Sequence, residues 1–311
     1  MDALLKWAIL NGATANEDAP ATTQPGLEPK KLDPAVIDAI LGRPASEQMT
    51  ECMDAVEHAD TPVEAKEVAL DDLEMLVENI DNACNLGPLN MWPRLIACYT
   101  DAQQVVRSGA LWVSGTAVQH NPKAQQAFSV NQGLQAALNV LQSDLAVGVR
   151  TKALYCVSSF IRGNVQGLTE FIAARGLSTL MLVLEEDAKS TTDGRTTALR
   201  QKSFFLLRSL IEEALDTETP EELRPGMYLP NAVAELGFAD TTAAVLGKIL
   251  EENDTDSSAV VFEQIVGFLL ALGATDSGKR AINECKPLVD SLAQAKTRFN
   301  QDTSELDKLL I

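Results

Sequence analysis

Along much of the chain, apolar residues recur every three or four positions, which is the spacing of one face of an α-helix. The stretch VRTKALYCVSSFIRGN, residues 149–164, shows the pattern clearly. One of its faces carries four apolar residues, Leu154, Val157, Phe160 and Ile161. The opposite face carries Tyr155, Ser159 and Arg162. The sequence therefore predicts an amphipathic helix here, with its apolar face turned toward a core.

Nearly the same string occurs 43 residues earlier, as VRSGALWVSGTAVQHN. The match continues without a gap and aligns pairs such as Val106 with Val149, Arg107 with Arg150, Trp112 with Tyr155, Phe128 with Phe171 and Gly133 with Gly176. A period near 43 residues is typical of armadillo or HEAT repeats, whose units bury their apolar faces against one another. Fainter copies flank these two. We therefore predict an all-α, armadillo/HEAT-like right-handed solenoid of about four repeats with flanking helices.

The first 33 residues differ in amino-acid composition from the rest of the chain. Residues 11–33 contain three prolines and three threonines and almost nothing apolar, as flexible linkers do. We expect a flexible segment over 1–33 and a repeat domain over 34–311. A short apolar motif precedes the linker, formed by Leu4, Leu5, Trp7 and Ile9. It could dock on the body or stay free.

Charge and composition narrow the class of partner. The chain has 25 Lys and Arg against 44 Asp and Glu, a net charge of −19, which repels nucleic acid phosphates and anionic lipid. No uninterrupted run of about 18 apolar residues and no good signal peptide are found, so we expect no membrane span. Five cysteines without paired spacing suggest a reducing compartment, hence the cytoplasm. Atypical end units favour a monomer.

Signatures of catalysis or of a bound cofactor are scarce. Only His58 and His120 are present, and no cysteine pair has the spacing of a zinc site. GATDSGKR, residues 273–280, fits the phosphate-loop pattern G-x-x-x-x-G-K, but Arg280 replaces the magnesium-binding Ser or Thr. The repeat register also makes the preceding apolar run a helix. We expect no catalytic residues, no metal site and no cofactor.

Four stretches together resemble a known family: LLKWAI (4–9), ALDDLEMLVENIDNA (69–83), GTAVQHNPKAQQAF (115–128) and VRTKALYCVSSFIR (149–162). They are similar to the cytosolic armadillo-type nucleotide-exchange factors of 70-kDa heat-shock chaperones. The resemblance weakens after about residue 215, where an acidic insertion spans 214–230. The role of this insertion stays open.

The resemblance implies a protein that clasps the chaperone's ATPase domain in a concave face and favours release of ADP and then of client. Carried over by motif, its contact positions are Ala83 and Arg200, and Arg200→Ala or Ala83→Arg is expected to weaken binding without unfolding. Helical geometry adds partner-binding candidates on the same face: Glu78, Asn79, Asn82, Gln119, Arg150 and Arg162. The resemblance also marks the N-terminal motif as a client-release segment.

An armadillo adaptor for basic peptides is the alternative, since an acidic chain suits a basic cargo. Such adaptors resemble ladders of Trp with Asn one turn later. Here the residues four positions after the aromatics are Thr116, Ser159 and Ser209, so the asparagine is missing. An enzyme, the third possibility, has only the altered phosphate loop in its favour.

Overall fold

The computed structural model describes residues 42–189, 196–218, 228–301 and 303–310. This part of the chain contains helices and no strand, which confirms the predicted all-α class. The compact unit begins at Pro44. The N-terminal motif, the linker and the predicted boundary at residue 34 lie outside the described residues, as do residues 219–227 of the acidic insertion.

The described helices form two flanking helices, four three-helix units and a C-terminal group. The flanking helices are α1 (Ala45–Glu57) and α2 (Val63–Val77). The first unit holds α3 (Ile80–Asn85), α4 (Met91–Ala97) and α5 (Gln104–Val118). The second holds α6 (Pro122–Val130), α7 (Gly133–Ser143) and α8 (Val147–Ile161). The third holds α9 (Val165–Ala173), α10 (Gly176–Lys189) and α11 (Thr197–Leu215). The fourth holds α12 (Tyr228–Glu235), α13 (Phe238–Glu251) and α14 (Thr255–Leu272). The C-terminal group is α15 (Asp276–Glu284), α16 (Lys286–Phe299) and α17 (Ser304–Asp307).

Equivalent helices of successive units pack on one another. Helices α2, α5, α8, α11 and α14 contact each other in sequence, and we name them the long-helix row. Helices α4, α7, α10, α13 and α16 form a parallel second row. This is the predicted solenoid of about four repeats, in which each unit buries its apolar face mainly against its neighbours.

The period of 43 residues has a structural cause at the helix starts. Asn121 caps α6 and accepts a hydrogen bond from the Ala124 amide, and Asn164 caps α9 in the same way from Gly167. The residue before the second helix is left-handed in each unit: Asn90, Gln132, Arg175 and Gly237, with φ of 52, 57, 59 and 86°. These residues turn the chain between the first and second helices.

Aromatic side chains join the units through the core. The ring of Phe128 lies 5.3 Å from that of Trp92 and 5.2 Å from that of Phe160, measured between centroids. In the C-terminal half, Phe268 lies 5.6 Å from Phe204. All five rings are at most 1% exposed. The core is therefore continuous from unit to unit.

Two glycines at equivalent positions leave room for two phenylalanine rings to pack against the helix backbone. A Cβ on Gly133 would lie 2.2 Å from Phe128 Cε2, and one on Gly176 would lie 2.1 Å from Phe171 Cε2. Both glycines begin the second helix of their unit. The phenylalanine of each first helix can pack there only because the glycine has no side chain.

Gly176→Ala is expected to lower the free energy of unfolding by about 1–3 kcal/mol, because the added methyl overpacks a filled core. Gly247→Ala is the matched control, since Gly247 lies inside α13 and a methyl group added there would have no neighbour within 4 Å. We expect it to stabilise by about 0.5–1 kcal/mol through helix propensity. Urea denaturation measures both. Equal effects of the two substitutions would contradict this packing argument.

Helix α14 is long and strongly apolar. It has 18 residues with a mean hydropathy of 1.4, so by length and composition it could cross a membrane. The bent pair α9 and α10 passes the same test together. However, α14 packs against α11 in the core, with Phe262, Ile265 and Phe268 fully buried. Core helices meet the same criterion, so the observation is weak evidence for a span.

Candidate functional site

The outward side of the long-helix row presents the residues that the sequence placed opposite the apolar faces. Trp112 and Tyr155 are half-buried, and Phe205 is 43% exposed. They occupy equivalent positions on α5, α8 and α11. We name this surface the long-helix face and define it by Trp112, Thr116, Lys152, Tyr155, Arg162, Lys202 and Phe205.

Each aromatic ring on the long-helix face is covered by a cation from a neighbouring helix. Lys152 Nζ lies 3.4 Å from the centroid of Trp112, and Lys202 Nζ lies 5.9 Å from that of Tyr155. The guanidinium carbon of Arg162 lies 5.4 Å from the centroid of Phe205. Cations at such distances are attracted by the ring face, by about 0.5–1 kcal/mol at exposed sites. Cations and aromatic rings therefore alternate across three units.

A chain of hydrogen bonds fixes the Tyr155 hydroxyl on this face. Thr116 Oγ1 donates to Glu74 Oε1 at 2.7 Å and lies 3.2 Å from the Tyr155 hydroxyl. Glu74 lies on α2 and is only 8% exposed. One polar path thus links α2, α5 and α8, and it restricts the orientation of the Tyr155 ring.

A groove of about 270 Å³ opens beside Tyr155, between α5, α8 and α11. Its walls combine apolar ring surface with hydroxyl, amide and cationic groups: Gln119, His120, Leu154, Tyr155, Ser158, Ser159, Arg162, Lys202 and Phe205. At its far end, Arg162 Nε donates to Glu213 Oε1 at 3.3 Å. The groove can accept a side chain of a partner and offer it several hydrogen-bond donors.

A row of ion pairs runs along one edge of the long-helix row. Arg107 on α5 pairs with Asp144 at 2.6 Å, Arg150 on α8 pairs with Glu186 at 3.4 Å, and Arg200 on α11 pairs with Glu252 at 2.6 Å. In each case the third helix of one unit reaches the end of the second helix of the next. Burial acts to raise the pKa of Asp144, but the hydrogen bonds from Arg107 and the Ala146 amide, together with the charges of Arg107 and Arg150, outweigh it and hold the pKa below its ordinary value. These pairs fasten units together.

The structure places the two positions carried over by motif in the interior. Ala83 and Arg200 are each 1% exposed. Arg200 is enclosed by Asp187 and Glu252, to which its guanidinium donates hydrogen bonds. Ala83 packs in the core and Arg200 pairs with buried carboxylates, so we expect substitutions at both positions to change stability in addition to any effect on binding.

The remaining candidate residues fall into three places. Gln119 and Arg162 line the groove. Glu78 and Asn79 are exposed where α2 meets α3, and the Asn82 amide nearby donates to the Leu76 carbonyl at 2.9 Å.

Arg150 lies apart from both groups, on the edge. Its Nε donates to the Leu141 carbonyl at 2.9 Å and its side chain is 14% exposed. Of the eight candidates, the structure thus places two in the groove, three at the α2–α3 junction, one at the edge, and Ala83 and Arg200 in the interior.

Lys152 and Lys202 were missed by sequence reasoning, although a signal for them exists. Arg150-Thr-Lys152 and Arg200-Gln-Lys202 are equivalent tripeptides, and each is followed three residues later by an aromatic, Tyr155 or Phe205. Aligning the third unit on its arginine would have shown the lysines recurring with the aromatics.

The cysteine thiols and the altered phosphate loop occupy structural positions in the fold. All five cysteines are free thiols, and burial raises the pKa of Cys98 to about 11 and that of Cys156 to about 12. Gly273 ends α14, and the rest of the altered phosphate loop leads into α15, which Thr275 caps. The described residues hold no cluster of three or more His, Cys, Asp or Glu fit for a metal ion.

Comparison with known proteins places this arrangement in a family. Residues 1–86 match the family model "Nucleotide exchange factor Fes1", and residues 79–225 match the SIL1/FES1/HPBP1 C-terminal domain. The Hsp70 nucleotide exchange factor FES1 of Kluyveromyces lactis is 34% identical over 239 residues, covering 71% of this chain and 80% of that protein.

The chain belongs to the Fes1 family of nucleotide exchange factors.

A second Fes1 relative gives a higher identity over a shorter stretch. The Hsp70 nucleotide exchange factor fes1 of Schizosaccharomyces pombe is 43% identical over 141 residues, which are 45% of this chain and 49% of that protein. That match therefore spans about half the length of the relative.

Solved structures extend the likeness to the fold alone. A designed armadillo repeat protein, solved in complex with the peptide (KR)4, superposes with a TM-score of 0.60 at 13% identity. The match covers 85% of this chain and 99% of that one. The armadillo architecture predicted from the 43-residue period is confirmed for this Fes1 family member.

Proposed function

We propose that this protein is an Hsp70 nucleotide exchange factor that binds the ATPase domain of a cytosolic 70-kDa heat-shock chaperone through the long-helix face. On this proposal, binding promotes release of ADP and then of client. The observation that carries it is the groove beside Tyr155, which presents rings and hydrogen-bond donors at the centre of a Fes1-family solenoid. Extended surfaces of solenoids suit domain-sized partners.

Recognition without chemistry is sufficient for this activity. A protein that binds the ADP-free chaperone more tightly than the ADP-bound form must weaken ADP binding by the same factor. A hundredfold effect requires about 2.7 kcal/mol of differential affinity. An interface of about 1,600 Å² can supply that difference. The protein then acts as a co-chaperone and not as an enzyme.

The proposed contact surface extends beyond the groove. The contact surface includes Gln119 and Arg162 in the groove, and it extends to Glu78, Asn79 and Asn82 at the α2–α3 junction. Arg150 borders it. The net charge of −19 supports a protein partner over nucleic acid or anionic lipid.

We also propose that the protein acts in the cytosol. Five free cysteines support a reducing compartment such as the cytosol. The N-terminal motif with Leu4, Leu5, Trp7 and Ile9 is proposed to assist client release, and the protein to act as a monomer.

The charges on the long-helix face do not favour the alternative function, an adaptor for basic peptides. Lys152 and Lys202 stand at its centre, where an acceptor of basic peptides would place carboxylates. If this protein fails to speed ADP release, basic peptides are the next ligands to try.

The proposal predicts that Phe205→Ala weakens binding of the Hsp70 ATPase domain by about thirtyfold, or about 2 kcal/mol, as exposed aromatic anchors do. The release rate of a fluorescent ADP analogue from the purified chaperone should fall accordingly. Titration calorimetry with the ATPase domain gives the affinity directly.

Leu182→Ala is the matched control for this test. Leu182 is 39% exposed, close to the 43% of Phe205, but it lies on α10 in the second row. We expect its binding and its ADP release to equal those of the original protein. Should both substitutions weaken binding equally, the long-helix face is not the contact surface.

A further inference from the structure

Two lysines stand unpaired at the centre of the long-helix face. Within the described part of the chain, neither Lys152 nor Lys202 forms an ion pair, and each instead lies over an aromatic ring. By contrast Arg107, Arg150 and Arg200 at the edge all have carboxylate partners. The chain has 44 acidic residues to 25 basic ones, so carboxylates are plentiful. Two central cations left without one are therefore notable.

The two lysines act on each other electrostatically. The pKa of Lys152 is lowered from its ordinary value, first by burial and next by the charge of Lys202, while Glu74 and Asp71 oppose the shift. Lys152 is partly buried and Lys202 is exposed, and two cations that repel each other raise the positive potential between them. A carboxylate placed there would offset the cost of burying the Lys152 charge and would screen the repulsion between the two lysines.

The groove next to these lysines has donors for such a group. Lys202 and Arg162 lie on its wall with the hydroxyls of Ser158 and Ser159. At about 270 Å³ it has room for a side chain, and the Tyr155 and Phe205 rings cover its apolar sides. Lysine, serine and tyrosine together donate hydrogen bonds that a carboxylate accepts.

The face is also asymmetric in charge. On α2, Glu74 accepts a hydrogen bond from Thr116 and Asp71 acts electrostatically on Lys152, whereas the cations stand on α8 and α11. Complementary charge fixes the orientation in which two surfaces meet. A partner would have to turn its acidic side toward α8 and α11.

We propose that Lys152 and Lys202 recognise carboxylates on an acidic surface of the protein partner, with one carboxylate side chain seated in the groove beside Tyr155. This inference rests on the proposed function and names the chemistry of the partner surface. A polyanion such as nucleic acid fits less well, because the net charge of −19 repels a long run of phosphates. The lysines thereby set the specificity and the orientation of the complex.

The test compares Lys152→Gln, Lys202→Gln and the double variant with the original protein. The probe is the purified ATPase domain of a cytosolic Hsp70, titrated at low and at high salt. Each single variant should weaken binding about tenfold, as loss of a charged hydrogen bond does, and the double variant about a hundredfold if the effects add. The slope of log affinity against log salt should flatten, because fewer charges remain to be screened.

Two controls separate charge at this place from charge in general. Lys279→Gln removes the same charge from an exposed position on α15, outside the long-helix row, and should leave affinity unchanged. Lys202→Arg keeps the charge and should stay within about threefold of the original. Circular dichroism checks that each variant is folded.

The outcomes distinguish this inference from the proposed function. If the original protein speeds ADP release but the double variant binds as tightly as Lys279→Gln, the carboxylate proposal is overturned while the exchange activity stands. If the original protein neither binds the ATPase domain nor speeds release, both fall. Binding of single-stranded DNA oligonucleotides that is lost in the double variant would identify a phosphate site instead and also overturn the proposal.

Discussion

Arg200→Ala is expected to lower the free energy of unfolding by about 3–5 kcal/mol, the cost of leaving buried carboxylates unpaired. Arg200 and its partners Asp187 and Glu252 are at most 5% exposed. Burial acts to lower the pKa of Arg200, but the hydrogen bonds and charges of the two carboxylates outweigh it and raise the pKa. Ser258 donates a further hydrogen bond to Glu252 at 3.3 Å. The substitution removes the group that neutralises this cluster.

Urea denaturation followed by circular dichroism measures the loss. Arg162→Ala is the control, because Arg162 pairs with Glu213 but its side chain is 41% exposed. A partly exposed pair is worth about 1 kcal/mol or less. The triple variant Arg200→Met, Asp187→Leu, Glu252→Leu should recover most of the stability, since apolar side chains of similar volume often replace a buried ion cluster without cost.

This prediction separates two explanations for any loss of Hsp70 binding in Arg200→Ala. A structural role predicts that binding and stability fall together and that the triple variant restores both. A variant that is as stable as the original but binds poorly would show that Arg200 reaches the partner, which would require the cluster to open.

Phe128→Ala is expected to cost about 3–5 kcal/mol of unfolding free energy, through lost burial and the cavity that remains. The Phe128 ring is fully buried and touches the rings of Trp92 in the first unit and Phe160 in its own. It also fills the space above Gly133. The substitution therefore weakens both the second unit and its contact with the first.

Val130→Ala in the same helix is the control for Phe128→Ala. Val130 is 77% exposed, so its truncation should change stability by less than about 0.5 kcal/mol. Thermal and urea denaturation compare the two. A loss for Phe128→Ala no larger than that for Val130→Ala would contradict the claim that this ring joins the units.

Part of the candidate site could be predicted from the sequence. The helical spacing of Tyr155, Ser159 and Arg162 placed them opposite the core, and all three line the groove. Trp112 and Tyr155 were recognised as equivalent positions. The lysines over them were not, because a cation–ring contact depends on how far a long side chain reaches across to the next helix.

The sequence by itself determined the repeats, the helices and the side of each helix that is buried. These features are encoded locally: the apolar spacing within one helix, the capping asparagines Asn121 and Asn164, and the period of 43 residues between them. Stacking like units then follows almost without choice, since each unit can bury its apolar face only on its neighbours.

Only the tertiary structure decided which charged residues are available to a partner. Arg107, Arg150 and Arg200 occupy equivalent positions in the sequence, yet Arg200 alone is enclosed by two carboxylates. One of those, Glu252, comes from the following unit, 52 residues away. Burial is a property of the packing between units, and the energy of a charge depends on that packing. No local pattern could show that the arginine expected on the surface lies in the core.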